Sequence, residues 1–200
     1  MVFAGVVSLI AVAVTGASLA WLHVQPTRLS AVHDAVGEYG ITPFRSGYRV
    51  AAIAFGVAGV ALAIGIDRAI ARHGHAGVVA LLVVFGVARA AISWFPMDAP
   101  DTPRTSTGAI HVLLAFVTFL SITGAAIWLG AILPNVTRWH SLGPASTVLG
   151  YAMAACLAIF GWSRLIPALR TRFGATERGF YVLALTWTAL FAFACAANLH

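Results

Sequence analysis

The sequence predicts an all-α integral membrane protein, a bundle of six transmembrane helices. Of its 200 residues, 60% are hydrophobic and only 9% are charged, whereas a soluble domain carries about 25% charged residues. So few charges cannot cover a water-exposed surface, and the mean hydropathy of +0.92 agrees with a lipid-facing one. The chain also divides into six apolar runs, each long enough to cross about 30 Å of hydrocarbon as a helix.

Proline, glycine and charged residues mark the ends of these runs. We expect one membrane domain over residues 1–200, because no composition shift separates two parts of the chain. The predicted spans cover about 2–22, 44–66, 76–95, 108–133, 144–166 and 177–199.

The connection between the first two spans has an amphipathic pattern. Leu29, Val32, Val36 and Tyr39 recur at helical spacing between Gln25 and Pro43. This pattern predicts a short interfacial amphipathic helix whose apolar side faces lipid.

Polar residues collect on one side of the predicted bundle, at the first, third and fifth connections. Arg89 interrupts the third span, and His111 lies one turn into the fourth. At 1.5 Å per residue Arg89 is about 9–10 Å below the end of its span, so its long side chain can reach the same surface. The same side holds four of the six acidic residues: Asp34, Glu38, Asp98 and Asp101.

Arg89 allows two interpretations. It is either a structural arginine that extends to the surface and pairs with a loop carboxylate, or a clamp for a phosphate or carboxylate head group. In the second case we expect a substrate-binding set of Arg89, Arg45, Arg104, Tyr39 and Glu38.

His111 and Asp98 are the candidates for acid–base catalysis, since a neutral imidazole and a carboxylate can exchange protons with a substrate. The alternative is a His–Asp hydrogen bond that only fastens the third connection. A divalent metal is a possible cofactor, because imidazole and carboxylate ligands suit such ions. Its ligands would be His33, Asp34, Asp98 and His111, although no spacing among them is diagnostic.

Loop charge and helix surface composition indicate orientation and partners. Eight arginines lie in or beside the odd-numbered connections and three in the even-numbered ones, which favours the odd side as cytoplasmic. Small residues four positions apart in the sequence, such as Ala52 with Gly56 and Gly150 with Ala154, allow helices to pack closely, either within the bundle or against other membrane subunits. Membrane lipids are expected partners. Nucleic acid is not, since no aromatic–basic platform for bases is present.

Two motifs resemble a known family. Residues 33–40, which end in Gly37-Glu38-Tyr39-Gly40, are followed by Pro43-Phe44-Arg45 and are similar to an "SEYG…PY" opening, with glycine here in place of serine. Residues 95–98 (Phe-Pro-Met-Asp) with Gly108 and His111 resemble its "FPxD…G..H" signature. The family is the bacterial integral membrane family known as domain of unknown function nine-nine-eight. The resemblance implies six spans in the bacterial plasma membrane, and no reaction.

Two classes of function follow from these residues. The first is a membrane protein that binds or modifies an anionic lipid or isoprenoid amphiphile at the polar site. The second is a non-enzymatic component, either an accessory subunit or a small transporter, whose polar cluster is structural. An open cavity beside His111 and Asp98 favours the first, and a closed, fully paired cluster favours the second.

Overall fold

The structure is a computed structural model, and it describes residues 1–70, 74–100, 102–163, 166 and 171–199. Within these ranges lie six helices long and apolar enough to cross a membrane, so the fold class is confirmed. Asp101 and three of the counted loop arginines, Arg72, Arg164 and Arg170, lie outside the described residues. The helices are α1 (Val2–His23), α2 (Arg45–Ala69), α3 (Ala76–Ala91), α4 (Ser106–Ile132), α5 (Gly143–Ser163) and α6 (Phe173–Ala196).

The helices agree with the predicted spans apart from their ends. Helix α3 is extended by a 3₁₀ turn, Ile92–Trp94, before the third connection. The predicted end of the fifth span, at residue 166, falls beyond the last described residue of α5. Helix α6 begins at Phe173 instead of 177, and this difference places Glu177 one turn inside the helix.

Consecutive helices pack side by side, and α6 closes the bundle against α1 and α5. Helix α2 also contacts α6, and the membrane-spanning parts of these two helices are the most buried of the six. Buried hydroxyl groups link neighbouring helices, as is common in membranes. Ser8 donates to the carbonyl of Ala58, and Trp187 donates through Nε1 to Ser146, which donates to the carbonyl of Ala126.

Several of the small residues pack against neighbouring helices of the same bundle. A Cβ on Gly56 would lie 2.5 Å from the carbonyl oxygen of Gly86, so α2 and α3 touch backbone to backbone there. A Cβ on Gly130 would lie 2.3 Å from Thr147 Oγ1, and one on Gly150 would lie 2.8 Å from Ile127 Cγ1. The contact between α4 and α5 is therefore tight toward the membrane face that the second and fourth connections share.

The first connection differs from its predicted form. Only Val36–Ile41 is helical, as a short 3₁₀ helix, and residues 24–35 form turns and irregular backbone. Val36 and Tyr39 are buried in the protein core and do not face lipid. The prediction of a short helix here is correct, but its length and the direction of its apolar side were wrong. The reason is that the bundle offers these side chains a protein surface to pack against.

Hydrogen bonds hold the first connection on the start of α6. The amide of Ala175 donates to the carbonyl of Val32, and the amide of Val36 donates to Glu177 Oε2 at 2.7 Å. Arg178 donates through Nη1 to the carbonyl of Asp34 and through Nε to His23 at the end of α1. The first and fifth connections and two helix ends thus form one polar surface.

The close contact of α2 with α3 predicts a strong response to one added methyl group. We expect Gly56→Ala to lower the free energy of unfolding by about 1–3 kcal/mol, because neither backbone can move aside cheaply. Chemical unfolding in a fixed detergent measures this. Gly16→Ala is the matched control: its Cβ would meet nothing within 4 Å, and alanine favours helix, so no loss is expected. Equal stability of the two variants would contradict this close packing.

Candidate functional site

A cavity of about 410 Å³ opens inside the half of the bundle that carries the first, third and fifth connections. All seven lining residues on α4 lie from His111 to Leu120, about 14 Å along the helix axis, so this cavity stops near mid-membrane. Its lining residues are Ala35, Gly37, Tyr48, Arg89, Ile92, Met97, His111, Val112, Ala115, Phe116, Thr118, Phe119, Leu120, Leu157, Phe160, Ser163, Phe173, Glu177 and Tyr181.

The cavity has a polar end and an apolar end. Arg89, His111 and Glu177 line the end beneath the first connection, where Gly37 forms part of the wall. Toward mid-membrane the lining is mostly apolar and aromatic. The aromatic rings there contact one another, as Phe119 does with Phe160, whose ring centroids lie 5.8 Å apart. The shape therefore suits a molecule with a polar head and a hydrocarbon tail.

The apolar end reaches the lipid-facing surface. Val112, Phe116 and Leu120 line the cavity on α4 and are also 45%, 50% and 58% exposed. These side chains belong to the outer surface of a membrane helix, where the solvent is lipid. The cavity wall is therefore continuous with the hydrocarbon of the bilayer.

Arg89 is fully buried instead of reaching the membrane surface. Its side chain is 1% exposed, and its guanidinium lies 5.1 Å from the ring centroid of Tyr181 and 5.7 Å from that of Tyr48. These rings support the cation through their π faces. Its Nε and Nη2 have no hydrogen-bond partner among the described residues. The guanidinium is thus held in place with donors unused.

Glu177 lines the same polar end and is 6% exposed. Its Oε2 accepts the amide of Val36, and no described residue donates a hydrogen bond to Oε1. Within the described ranges the only ion pair is that of His75 with Asp67, so Glu177 and Arg89 do not touch. They are nevertheless close enough for electrostatic attraction.

His111 presents one ring nitrogen to the cavity. Its Nδ1 lies 2.7 Å from the carbonyl oxygen of Phe95, and because a carbonyl only accepts, Nδ1 carries the proton. In the neutral ring Nε2 is therefore an acceptor. Nε2 faces Gly37, where a Cβ would lie 3.0 Å away, next to Met97. The first and third connections thus meet at His111, as expected from the topology.

Asp98 does not line this cavity. Its Oδ1 accepts the hydroxyl of Thr105 at 2.6 Å, and its Oδ2 accepts the Thr105 amide at 3.1 Å. Thr105 in turn accepts the amide of Gly108 as the N-cap of α4. The hydrogen bonds from the Thr105 side chain and backbone lower the pKa of Asp98. Asp98 therefore anchors the start of α4, and His111 is anchored separately through Phe95.

The other predicted substrate-binding residues lie around the cavity without lining it. Tyr39 is buried against His23, with ring centroids 5.5 Å apart. Glu38 accepts the amide of Ala35, and burial raises the pKa of Glu38. Arg104 is exposed in the third connection. Arg45 lines a separate surface pocket of about 140 Å³ with Arg49, whose guanidinium lies 5.9 Å from the ring of Trp94.

The four predicted metal ligands are dispersed. His33 donates through Nδ1 to the carbonyl of Thr171, and Asp34 accepts the amide of Ser30. Among the residues that the structure describes, no three His, Cys, Asp or Glu side chains come close enough to hold a metal ion. Only His111 of the four lines the cavity, so we assign no metal site.

Sequence analysis missed three cavity residues: Glu177, Tyr48 and Tyr181. Glu177 was predicted only as the first residue of the sixth span, and it was not grouped with the polar site. A signal existed, since the apolar residues preceding it, Phe173 to Ala175, allow the helix to begin one turn earlier. The tyrosines had no such signal, because their contact with Arg89 depends on how three helices pack.

Taken together, the fold and this cavity define a multi-pass helical membrane protein with a buried polar pocket in one half of the bilayer. The chain belongs to the family described as Protein of unknown function (DUF998), whose family model matches residues 3–194. The family resemblance read from the two motifs is confirmed. Searches of curated proteins and of solved structures gave no match.

The anchoring of α4 by Asp98 predicts a pH-dependent stability. Because the folded protein lowers the pKa of Asp98, this carboxylate stabilises the fold above its unfolded value of about 4, and the contribution is lost as the pH falls through the folded pKa. We expect Asp98→Asn to lower the thermal midpoint at pH 7, and the gap to wild type to close toward pH 3. Thermal unfolding at several pH values in one detergent measures this.

Asp67→Asn serves as the control, since Asp67 forms an exposed ion pair and should contribute little. A gap between Asp98→Asn and wild type that persists at pH 3 would show that the ionised carboxylate is not what stabilises α4.

Proposed function

We propose that this protein binds a membrane amphiphile whose anionic head group lies against Arg89 and whose hydrocarbon tail follows the wall of α4 into the bilayer. The observation that carries the proposal is the buried guanidinium with two unused donors at the polar end of a cavity that is continuous with lipid. A charged group at this depth costs several kcal/mol unless it is compensated, which makes it a functional-site signal.

The unused atoms of Arg89 specify the kind of group. Nε–H and one N–H of Nη2 point the same way along one edge of the planar guanidinium, so they form a two-pronged donor. Carboxylates and phosphates match this fork with two parallel hydrogen bonds. An anion at this edge would satisfy both buried donors at once.

The rest of the cavity supports a tail. A volume of about 410 Å³ is at the small end of ligand pockets, so it accommodates a head group and part of one chain. The remaining tail would lie along the exposed side chains of Phe116 and Leu120. The first connection covers the polar end from the aqueous side, so the amphiphile would enter from the lipid side, where Phe116 and Leu120 are exposed.

Modification of the bound amphiphile is the second candidate function. It is favoured by His111, whose tautomer leaves Nε2 as an acceptor in the cavity, where a general base would be needed. The test is to supply a lipid of known mass, recover it after incubation and compare the masses. A change of mass that is lost in His111→Asn would support catalysis, and an unchanged lipid would contradict it.

The non-enzymatic alternative accounts for another part of the polar surface. Arg178 donates to the backbone carbonyl of Asp34, and Asp98 accepts the backbone amide of Thr105, as residues that only fasten the connections would do. A transporter needs a path through both halves of the membrane, and this cavity stops near mid-membrane. We therefore assign the structural role to these anchors and the binding role to Arg89.

For localisation we propose the bacterial plasma membrane, with the cavity half in the cytoplasmic leaflet. The excess of arginines at the odd-numbered connections, eight against three, supports this orientation. An amphiphile drawn from the cytoplasmic leaflet would then reach the cavity directly.

The first test is lipid retention. We expect wild-type protein, purified in mild detergent, to carry a phosphate- or carboxylate-bearing lipid detectable by native mass spectrometry. Arg89→Gln should retain it about tenfold less or worse, because two charge-assisted hydrogen bonds are lost. Arg172→Gln, an exposed arginine on the same side, is the control and should behave as wild type. Equal retention by Arg89→Gln would exclude the proposed head-group contact.

The second test leaves the polar groups untouched. Ala115→Phe places a large ring in the cavity wall and should displace the tail, so the bound lipid should be lost while the fold remains. Ala109→Phe adds the same ring on an exposed position of α4 and should retain the lipid. If both variants retain it, the lipid lies elsewhere on the protein.

A further inference from the structure

We infer that the head group bound in this cavity is zwitterionic, with a phosphate that faces Arg89 and a primary ammonium group that faces Glu177. This inference rests on the proposed function and specifies its ligand class. The polar end of the cavity contains a buried carboxylate, that of Glu177, as well as the buried guanidinium of Arg89. A simple anion would compensate the guanidinium and leave the carboxylate without a partner.

The two charges are close but unpaired. Arg89 stacks on Tyr181, and Glu177 lies four residues earlier on α6, hence one turn, or about 6 Å, along the same helix. No nitrogen–oxygen contact within 4 Å joins them. Two opposite charges left apart in a low-dielectric cavity are each expensive, whereas a direct pair would compensate both. A ligand between them can do the same.

The free hydrogen-bonding atoms require both an acceptor and a donor on the ligand. Arg89 offers donors only, through Nε and Nη2. Glu177 Oε1 and His111 Nε2 receive no hydrogen bond from the described residues, and both side chains line the cavity. An anion alone leaves these two acceptors unpaired, while a head that also carries N–H groups satisfies them.

A primary ammonium fits this arrangement better than a quaternary one. A trimethylammonium group has no N–H to donate and is normally held by a cage of aromatic faces. Here the aromatic faces of Tyr48 and Tyr181 are occupied by Arg89, and the group on offer is a carboxylate oxygen. The geometry thus favours a phosphoethanolamine head over a phosphocholine head, and over a phosphoglycerol head that carries no cation.

The same head chemistry exists in a lipid and in a water-soluble phosphodiester. The apolar end of the cavity and its continuity with the bilayer favour the lipid, and a competition experiment separates the two sources. Soluble glycerophosphoethanolamine should displace the lipid only at far higher concentration if the acyl chain contributes to binding.

The experiment supplies delipidated full-length protein with an equimolar mixture of phosphatidylethanolamine, phosphatidylglycerol and phosphatidylcholine of identical chains. Native mass spectrometry then counts the bound species. We expect about tenfold enrichment of phosphatidylethanolamine on wild type, and loss of this preference in Glu177→Gln with phosphatidylglycerol still bound. Glutamine keeps a carbonyl oxygen that can accept the Val36 amide, so the fold is retained.

Glu38→Gln is the matched control, because Glu38 accepts a backbone amide in the same connection but does not line the cavity; it should keep the preference. Wild type that binds all three lipids equally, or Glu177→Gln that keeps the preference, would overturn the zwitterion inference. If wild type binds none of the three lipids, the zwitterion inference fails as well, and if Arg89→Gln binds them as wild type does, the proposed function itself fails.

Discussion

The burial of one guanidinium within a membrane bundle constrains the rest of this structure. An arginine at the centre of a membrane helix costs about 2.5–3.5 kcal/mol on insertion scales, and one nearer the end, such as Arg89 in the last turn of α3, costs less only when its side chain reaches water. Here it does not extend to water, because the first connection covers that direction and Arg89 is 1% exposed. Two tyrosine rings support the cation and a carboxylate lies nearby, yet one edge of the guanidinium remains unsatisfied.

The first connection makes this burial possible. It is held on the start of α6 by hydrogen bonds from Val36 and Ala175 and by Arg178, so irregular backbone sits over the polar end with its amides satisfied. Backbone of this kind is tolerated at membrane depth only where protein covers it or a cavity lies beside it. The third connection is anchored independently at Asp98 and Phe95. The roof of the cavity is therefore anchored by hydrogen bonds on both sides.

The bundle shows an asymmetry between its two ends. Toward the second and fourth connections, small residues bring α4 and α5 into close contact at Gly130 and Gly150. Toward the odd-numbered connections, larger side chains of the same helices, such as Phe119 and Phe160, line the cavity. The cavity thus lies away from these close contacts, and it faces lipid along the exposed side chains of Phe116 and Leu120 on α4.

The sequence alone determined the class of protein, the positions of the six helices and the membrane face at which the polar residues gather. These properties depend on composition, apolar run length and chain order, all of which are local or additive. Tertiary structure alone decided which polar residues converge. Asp98, Glu38 and Arg104 lie on the expected side but outside the cavity, while Glu177, Tyr48 and Tyr181 enter it. The reason is that convergence depends on the rotation of each helix about its axis and on the folding of the connections, which are set by contacts between segments distant in sequence.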